Sequence, residues 1–370
     1  LTLTPTIYNN MKIKALLSAC LAMLASTSYG QTVTKLTATK ANDFGLIYSL
    51  PTTVLDITIE AEHTIEKPGQ FYKYAKKYLD IDNPVTEKNE SWQVKSISVN
   101  TRGIVNSKEQ YLMQFKSGFA PFIIMNEADL PVAINKEDIK NNVAPTIPQP
   151  IPAQPTPLET EAAKQVMSED MLRSQSLAKQ AELAAQRIYD LRSSRNELIT
   201  GQADQMPPDG KAMQLIMDQI AAQEAALTAM FIGTKSVATD VQTITYTPVK
   251  DTDKSVIARI SAINGLVDPD DLSGDAVTLK LQVTDRGRMP LNDKGQPKEM
   301  PKGGVAYCIT GTASISISYD GKTFWDGSID AAQYGVVFGL DPKMFSDKKS
   351  PAYLILDPAT GGIKELGTIE

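Results

Sequence analysis

The chain has 370 residues, with 37 Lys and Arg against 43 Asp and Glu, for a net charge of −6. That acidic balance argues against a broad phosphate-binding surface, so nucleic acid is not expected as a partner. One His and two Cys leave little for a His- or Cys-based metal site, a nucleophile–base pair or a disulfide framework, and no cofactor is expected.

Residues 1–10 precede the first Met and read as upstream frame from a misplaced start. From Met11, Lys12 and Lys14 form a positive n-region, Ala15 to Ala25 an apolar run, and Ser28-Tyr29-Gly30 a cleavage site with small residues at the two positions signal peptidase reads. Residues 11–30 are therefore expected to be a secretory signal peptide. The mature chain then begins at Gln31, in the periplasm or cell envelope, with 35 basic and 43 acidic residues, a net −8. Leu17-Ser18-Ala19-Cys20 has lipobox spacing, but it leaves only Ile13 to Ala19 as an apolar run, so the soluble form is preferred to a lipoprotein anchored through Cys20. No second run reaches the roughly 18 apolar residues of a membrane span.

Residues 31–142 read as an N-terminal β-rich domain. Leu55, Ile57, Ile59, Ala61, His63 and Ile65 alternate with Asp56, Thr58, Glu60, Glu62 and Thr64, the period of two of a half-buried strand. His63 falls on the apolar side with no catalytic neighbour in the sequence, which fits a hydrogen-bonded core histidine. Phe71, Tyr74, Ala75 and Tyr78 predict a short helix over 71–79 facing a core, and not a base-stacking platform. Further strands are expected near 92–100, 110–116 and 122–124.

Six prolines in residues 143–159 exclude helix and central strand and predict a polyproline II linker. Residues 160–234 read as an antiparallel helical hairpin. Leu177, Ala181, Ala184, Ile188, Leu191, Arg195 and Leu198 step by fours and threes, and Gly201 supplies a stop. Asp209 is the expected N-cap of the second helix, whose apolar positions include Met213, Ile216, Ile220, Leu227 and Phe231. Arg192, Arg195, Asp204 and Asp209 gather at the hairpin's turn, either as dipole-matched caps and ion pairs or as an interaction surface.

Residues 235–370 are expected to form a C-terminal antiparallel β-domain, a sandwich or small barrel, with a hairpin turn at Asp320-Gly321. The whole chain is thus α+β, mainly β. Asp268, Asp270, Asp271 and Asp275 supply the oxygen ligands calcium prefers, yet Leu272 occupies a ligand position and no Glu closes the loop; an Asp-rich turn is the better reading. Gly321-Lys322-Thr323 lacks a phosphate loop's upstream glycine, and Ser346-x-x-Lys349 lacks the companion motifs of serine acyl-enzymes.

The segments "YSLPTTVLDITIEAEHTIEKPGQFYKYAKKYL", "RIYDLRSSRNELITGQADQMPPDGKAM", "MFIG" and "AAQYGVVFGLDP" resemble the domain-of-unknown-function family 4831 of exported Bacteroidetes proteins. The resemblance implies an exported envelope protein and carries no catalytic residues across. Two functional classes follow: a non-catalytic binding or scaffolding module contacting an envelope protein or glycan, and an exported hydrolase using paired carboxylates on glycan or peptide.

Overall fold

The structure, a computed structural model, describes residues 45–114, 121–137, 146–206, 210–301, 304–347 and 349–369. The expected leader with Cys20, Pro207, Pro208 and Asp209 lie outside the described residues. The protein is strand-rich α+β with several antiparallel sheets, one of them curled into a half-barrel.

The first sheet has the order β2-β1-β5, built from β1 (Gly45–Lys67), β2 (Asn89–Gln114) and β5 (Thr234–Tyr246). Leu55, Ile57, Ile59 and Ala61 are fully buried on one face of β1, as their parity predicts. On the opposite face Asp56 takes Arg102 Nε at 2.7 Å from β2 and Thr245 Oγ1 at 2.9 Å from β5, so one carboxylate ties three strands. The strand expected at 92–100 and, as far as Gln114, the strand expected at 110–116 are parts of β2. The polar stretch between them reads as a break, but its register against β1 holds through Val105.

The second sheet has the order β10-β9-β8-β6-β7: β6 (Thr252–Ser261), β7 (Gly265–Val267), β8 (Gly274–Asp285), β9 (Val305–Tyr319) and β10 (Lys322–Leu340). Its buried Val277, Leu279, Ile315 and Ile317 form one core with Leu55, Ile57 and Ile59 of the first sheet. Asp320 and Gly321 both adopt positive φ, 47° and 72°, the geometry a two-residue hairpin loop needs to follow strand twist.

A third sheet, β12-β11-β4-β3, joins β3 (Ile123–Met125) and β4 (Pro131–Ile134) to β11 (Ala352–Leu356) and β12 (Ile363–Thr368). Asn135, in the left-handed region at φ 58°, donates through Nδ2 to the carbonyls of Phe345 and Ala352, fastening the early strands to the late ones. Strand pairing therefore crosses the blocks read along the chain. β5 completes the sheet of β1 and β2, and among the described residues β4 pairs with β3 and β11.

The helical layer contains α1 (Ala75–Leu79), α2 (Glu161–Gln165), α3 (Glu169–Arg173), α4 (Leu177–Thr200) and α5 (Lys211–Ile232). α4 buries Ala181, Ala184, Ile188 and Leu191 and ends at Gly201, φ 70°, as its seam and stop predict. The capping position of α5 is Gly210, without a side-chain cap, and the expected cap Asp209 lies outside the described residues. Phe71 packs on Phe231 at 5.3 Å between ring centres, joining the 71–79 turn to the base of the hairpin. Among the described residues α5 is the one helix long and apolar enough to cross a membrane by length and composition. Ala226, Leu227, Ala229, Met230 and Phe231, in its C-terminal half, are buried inside the protein. The Pro-rich segment touches the edge of β5 through one bridge, Ile151 to Thr239.

Candidate functional site

Two irregularities in otherwise regular ladders face each other. In the β1–β2 ladder Ser49 pairs with Gln110 but Pro51 with Val105, so residues 106–109 are pushed out of register. Pro51 lacks the N–H that would continue the ladder. In the β9–β10 ladder Ala331 pairs with Gly311 but Val336 with Ile309, which expels residues 332–335. Gly335 permits this approach: a Cβ there would stand 2.3 Å from the Ile309 carbonyl oxygen and 2.9 Å from Cys308 Sγ. Bulges re-aim side chains and are over-represented beside binding and active sites.

Between the bulges lies a cleft of about 620 Å³, inside the range of roughly 300–1,000 Å³ typical of small-molecule sites. Leu50, Pro51, Met300, Val336 and Val337 give it apolar walls. Asn106, Glu109, Tyr111, Cys308 and Gln333 bring polar atoms to it.

Buried Thr53 holds the β10 bulge. Its N–H donates to Gln333 Oε1 at 3.1 Å and its hydroxyl donates to the Ala359 carbonyl at 2.8 Å. The same hydroxyl accepts from the Ala332 N–H at 3.0 Å, and Gln333 Nε2 donates to the carbonyls of Thr53 and Pro248. The 357–361 turn closes the arrangement when the Cys308 N–H donates to the Gly361 carbonyl at 2.8 Å. Gln333 is thus a fixed wall of the cleft.

The chemistry of the lining is quiet. Cys308 is 3% exposed, and burial, then the charge of Glu109, pushes its thiol up to about 11, so it is protonated at neutral pH. Tyr111 donates its hydroxyl to Glu109, and burial followed by that carboxylate raises its pKa far above the ordinary phenol value. Burial likewise raises Tyr48, which donates to the Ala306 carbonyl at 2.8 Å. Among the described residues lining the cleft Glu109 is the one carboxylate, and none is a His.

The residues singled out in the sequence lie elsewhere. Arg192 Nε and Arg195 Nη1 both bind the carboxylate of Glu224 on α5, at 2.7 and 2.5 Å, while Asp204 is exposed in the turn. The two arginines staple the helices together, and Asp209 lies outside the described residues. Sequence reading missed Glu224, which sits 32 positions from Arg192 and shows no local pattern with it. Asp268, Asp270, Asp271 and Asp275 do not converge: among the described residues no three His, Cys, Asp or Glu groups stand together as a metal site. Asp271 instead accepts the Ser273 N–H at 2.9 Å, which holds its carboxyl below the usual range. Arg259 donates to the carbonyls of Pro269 and Gly274, pinning the turn.

His63 is half-buried, stacked on Trp92 at 4.1 Å and 3.0 Å from Glu90 through Nε2. Ser346 donates to the Pro342 carbonyl at the end of a short helical turn. The cleft was invisible in sequence because its walls come from residues near 50, 110, 300, 308 and 335. Pro51 inside a strand pattern was the one local hint.

No curated protein and no solved structure matches the chain. Residues 44–364 match the model of a Domain of unknown function (DUF4831), so the chain belongs to that family.

Proposed function

We propose that this is a non-catalytic binding module of the cell envelope, exported by residues 11–30, whose cleft between the two bulges takes a small ligand or a short chain segment from an envelope protein or glycan. The observation that carries the reading is the cleft itself: a built concavity with apolar walls, a fixed amide at Gln333 and no nucleophile–base pair among its described lining residues. The leader pattern at Met11 to Gly30 supports export, with lipidation at Cys20 as the second form.

Cys308 offers a direct test, since in a Cys20→Ser chain it is the one thiol. Soluble envelope glycan fragments and peptides are titrated against the protein while alkylation of Cys308 in mild urea is followed. Saturable protection by one class, matched by calorimetric binding, supports the reading. Absence of both across the panel counts against it.

The hydrolase reading predicts turnover of the same panel. A glycosidase of the usual kind needs two carboxyl groups about 5 to 9.5 Å apart, whereas the described lining supplies Glu109 alone. Product formation abolished by Glu109→Gln would reverse the assignment.

A further inference from the structure

The edge of β5 that faces away from β1 is held by one residue. The Ile151 N–H donates to the Thr239 carbonyl at 3.1 Å, and the Ile151 carbonyl accepts the Thr239 N–H at 2.8 Å, the mutual pair of bonds that neighbouring antiparallel strands exchange. The same Ile151 N–H reaches Thr239 Oγ1 at 3.0 Å. Backbone groups alternate in direction along a strand, so Thr239 fixes the odd-numbered residues of β5 as those whose N–H and C=O point outward. Val241 is the next of them, and its N–H donates to the Asp240 carboxylate at 2.9 Å, so a second outward donor is satisfied within the chain.

The prolines of the segment that carries Ile151 follow the same alternation. In an extended run through this bridge the facing positions are Ile147, Gln149, Ile151 and Ala153, every one with an N–H to offer β5. The positions between them are Pro148, Pro150 and Pro152, whose missing donors point away from the sheet. Pro155 is the next proline and falls on the facing set, which ends the run. A spacer gains stiffness from proline at any spacing. A strand that must pair on one side and refuse pairing on the other needs proline at every second position, directed outward. The far end of the segment is tied down as well: the Thr156 N–H donates to Glu159 Oε2 at 2.8 Å, and Leu158 packs on the helical core.

We infer that residues 147–153 are a guard strand, which docks on β5 through Ile151, closes that edge of the first sheet to strand addition and presents proline in its place. One bridge holds the guard to the sheet, so it is releasable, and the edge it uncovers accepts an extended chain in the antiparallel sense that Ile151 already uses.

Amide hydrogen exchange and sedimentation equilibrium on the full mature chain test the two halves of this inference. In the wild-type chain the Thr239 amide should be protected although its N–H faces away from β1. Ile151→Pro removes the donor and should speed exchange at Thr239 about tenfold, the effect of losing roughly one backbone hydrogen bond. Gln242, whose N–H faces β1, should keep its rate and so report the intact sheet. Pro148→Thr, Pro150→Thr and Pro152→Thr combined leave the facing positions untouched and restore three outward N–H groups. That chain should self-associate about tenfold more tightly than the wild type, since its new edge can pair. A Thr239 amide that exchanges freely in the wild type, or that is unmoved by Ile151→Pro, overturns the docking and the inference. A triple variant that associates no more than the wild type overturns the guard role and the inference with it.

Discussion

Thr53 shows how much of the cleft depends on a single side chain. Its hydroxyl serves the Ala332 N–H and the Ala359 carbonyl at once, linking β1 to the β10 bulge and to the 357–361 turn. Thr53→Val keeps the shape and removes both bonds, leaving two backbone groups without a partner in a protected position. The expected loss is about 3 kcal/mol in urea unfolding, together with faster amide exchange at Ala332. Cys308 gives a pH prediction. The folded protein holds this proton up to about 11, whereas an unfolded thiol releases it near 8.5. A raised folded-state value means the contribution is complete below about 8.5 and is lost as pH climbs towards 11, at most about 3 kcal/mol in all. Cys308→Ala should flatten that alkaline decline. Tyr48 and Tyr111, raised in the same direction, leave a residual slope above pH 10.

The elements whose signals are local were readable from the sequence. The parity of Leu55, Ile57 and Ile59 identified the buried face of β1, Gly201 the end of α4, and Asp320-Gly321 the turn between β9 and β10. Alternation says which face of a strand is buried, but says nothing about which strand lies at its edge. The placement of β5 beside β1 and of β11 beside β4 was illegible for that reason. The facing bulges depend on those pairings, so the cleft was illegible too. The hairpin adds a case in which the right residues were chosen with the wrong partners. Arg192 and Arg195 suit the C-terminal part of a helix, but they bind Glu224 across the interface, where its side chain is only 13% exposed. Glu224→Gln should cost about 1 kcal/mol in thermal unfolding, since the arginines remain partly solvated. Either arginine replaced singly by Met should cost less than that, because the other still holds the carboxylate.

At the scale of the molecule the three sheets are interdependent. The third sheet joins residues 123–134 to residues 352–368, and Leu130, Ile134, Leu354 and Leu356 are fully buried. A chain ending at Ser346 loses β11 and β12, the Asn135 bond to Ala352 and the hydroxyl bond of Thr53 to Ala359. Limited proteolysis of that chain should cut within residues 121–137 at least tenfold faster than in the full chain, as expected when a protected segment loses its partner strands. Cleavage at an unchanged rate would show that β3 and β4 hold without the C-terminal strands.

The same pairing sets an order of events during synthesis. β4 leaves the ribosome more than 200 residues before β11, and at ordinary elongation rates it waits on the order of 10 to 50 seconds for its neighbour. Through that interval Leu130 and Ile134 have β3 alone beside them and lack the β11 side of their sheet, and for most of it the cleft has neither its β10 wall nor the turn that pins Cys308. Completion of the fold is therefore a post-synthetic event, governed by long-range contacts that close late and slowly. A chain that cannot finish folding until its last strand is free stays threadable while it is being made.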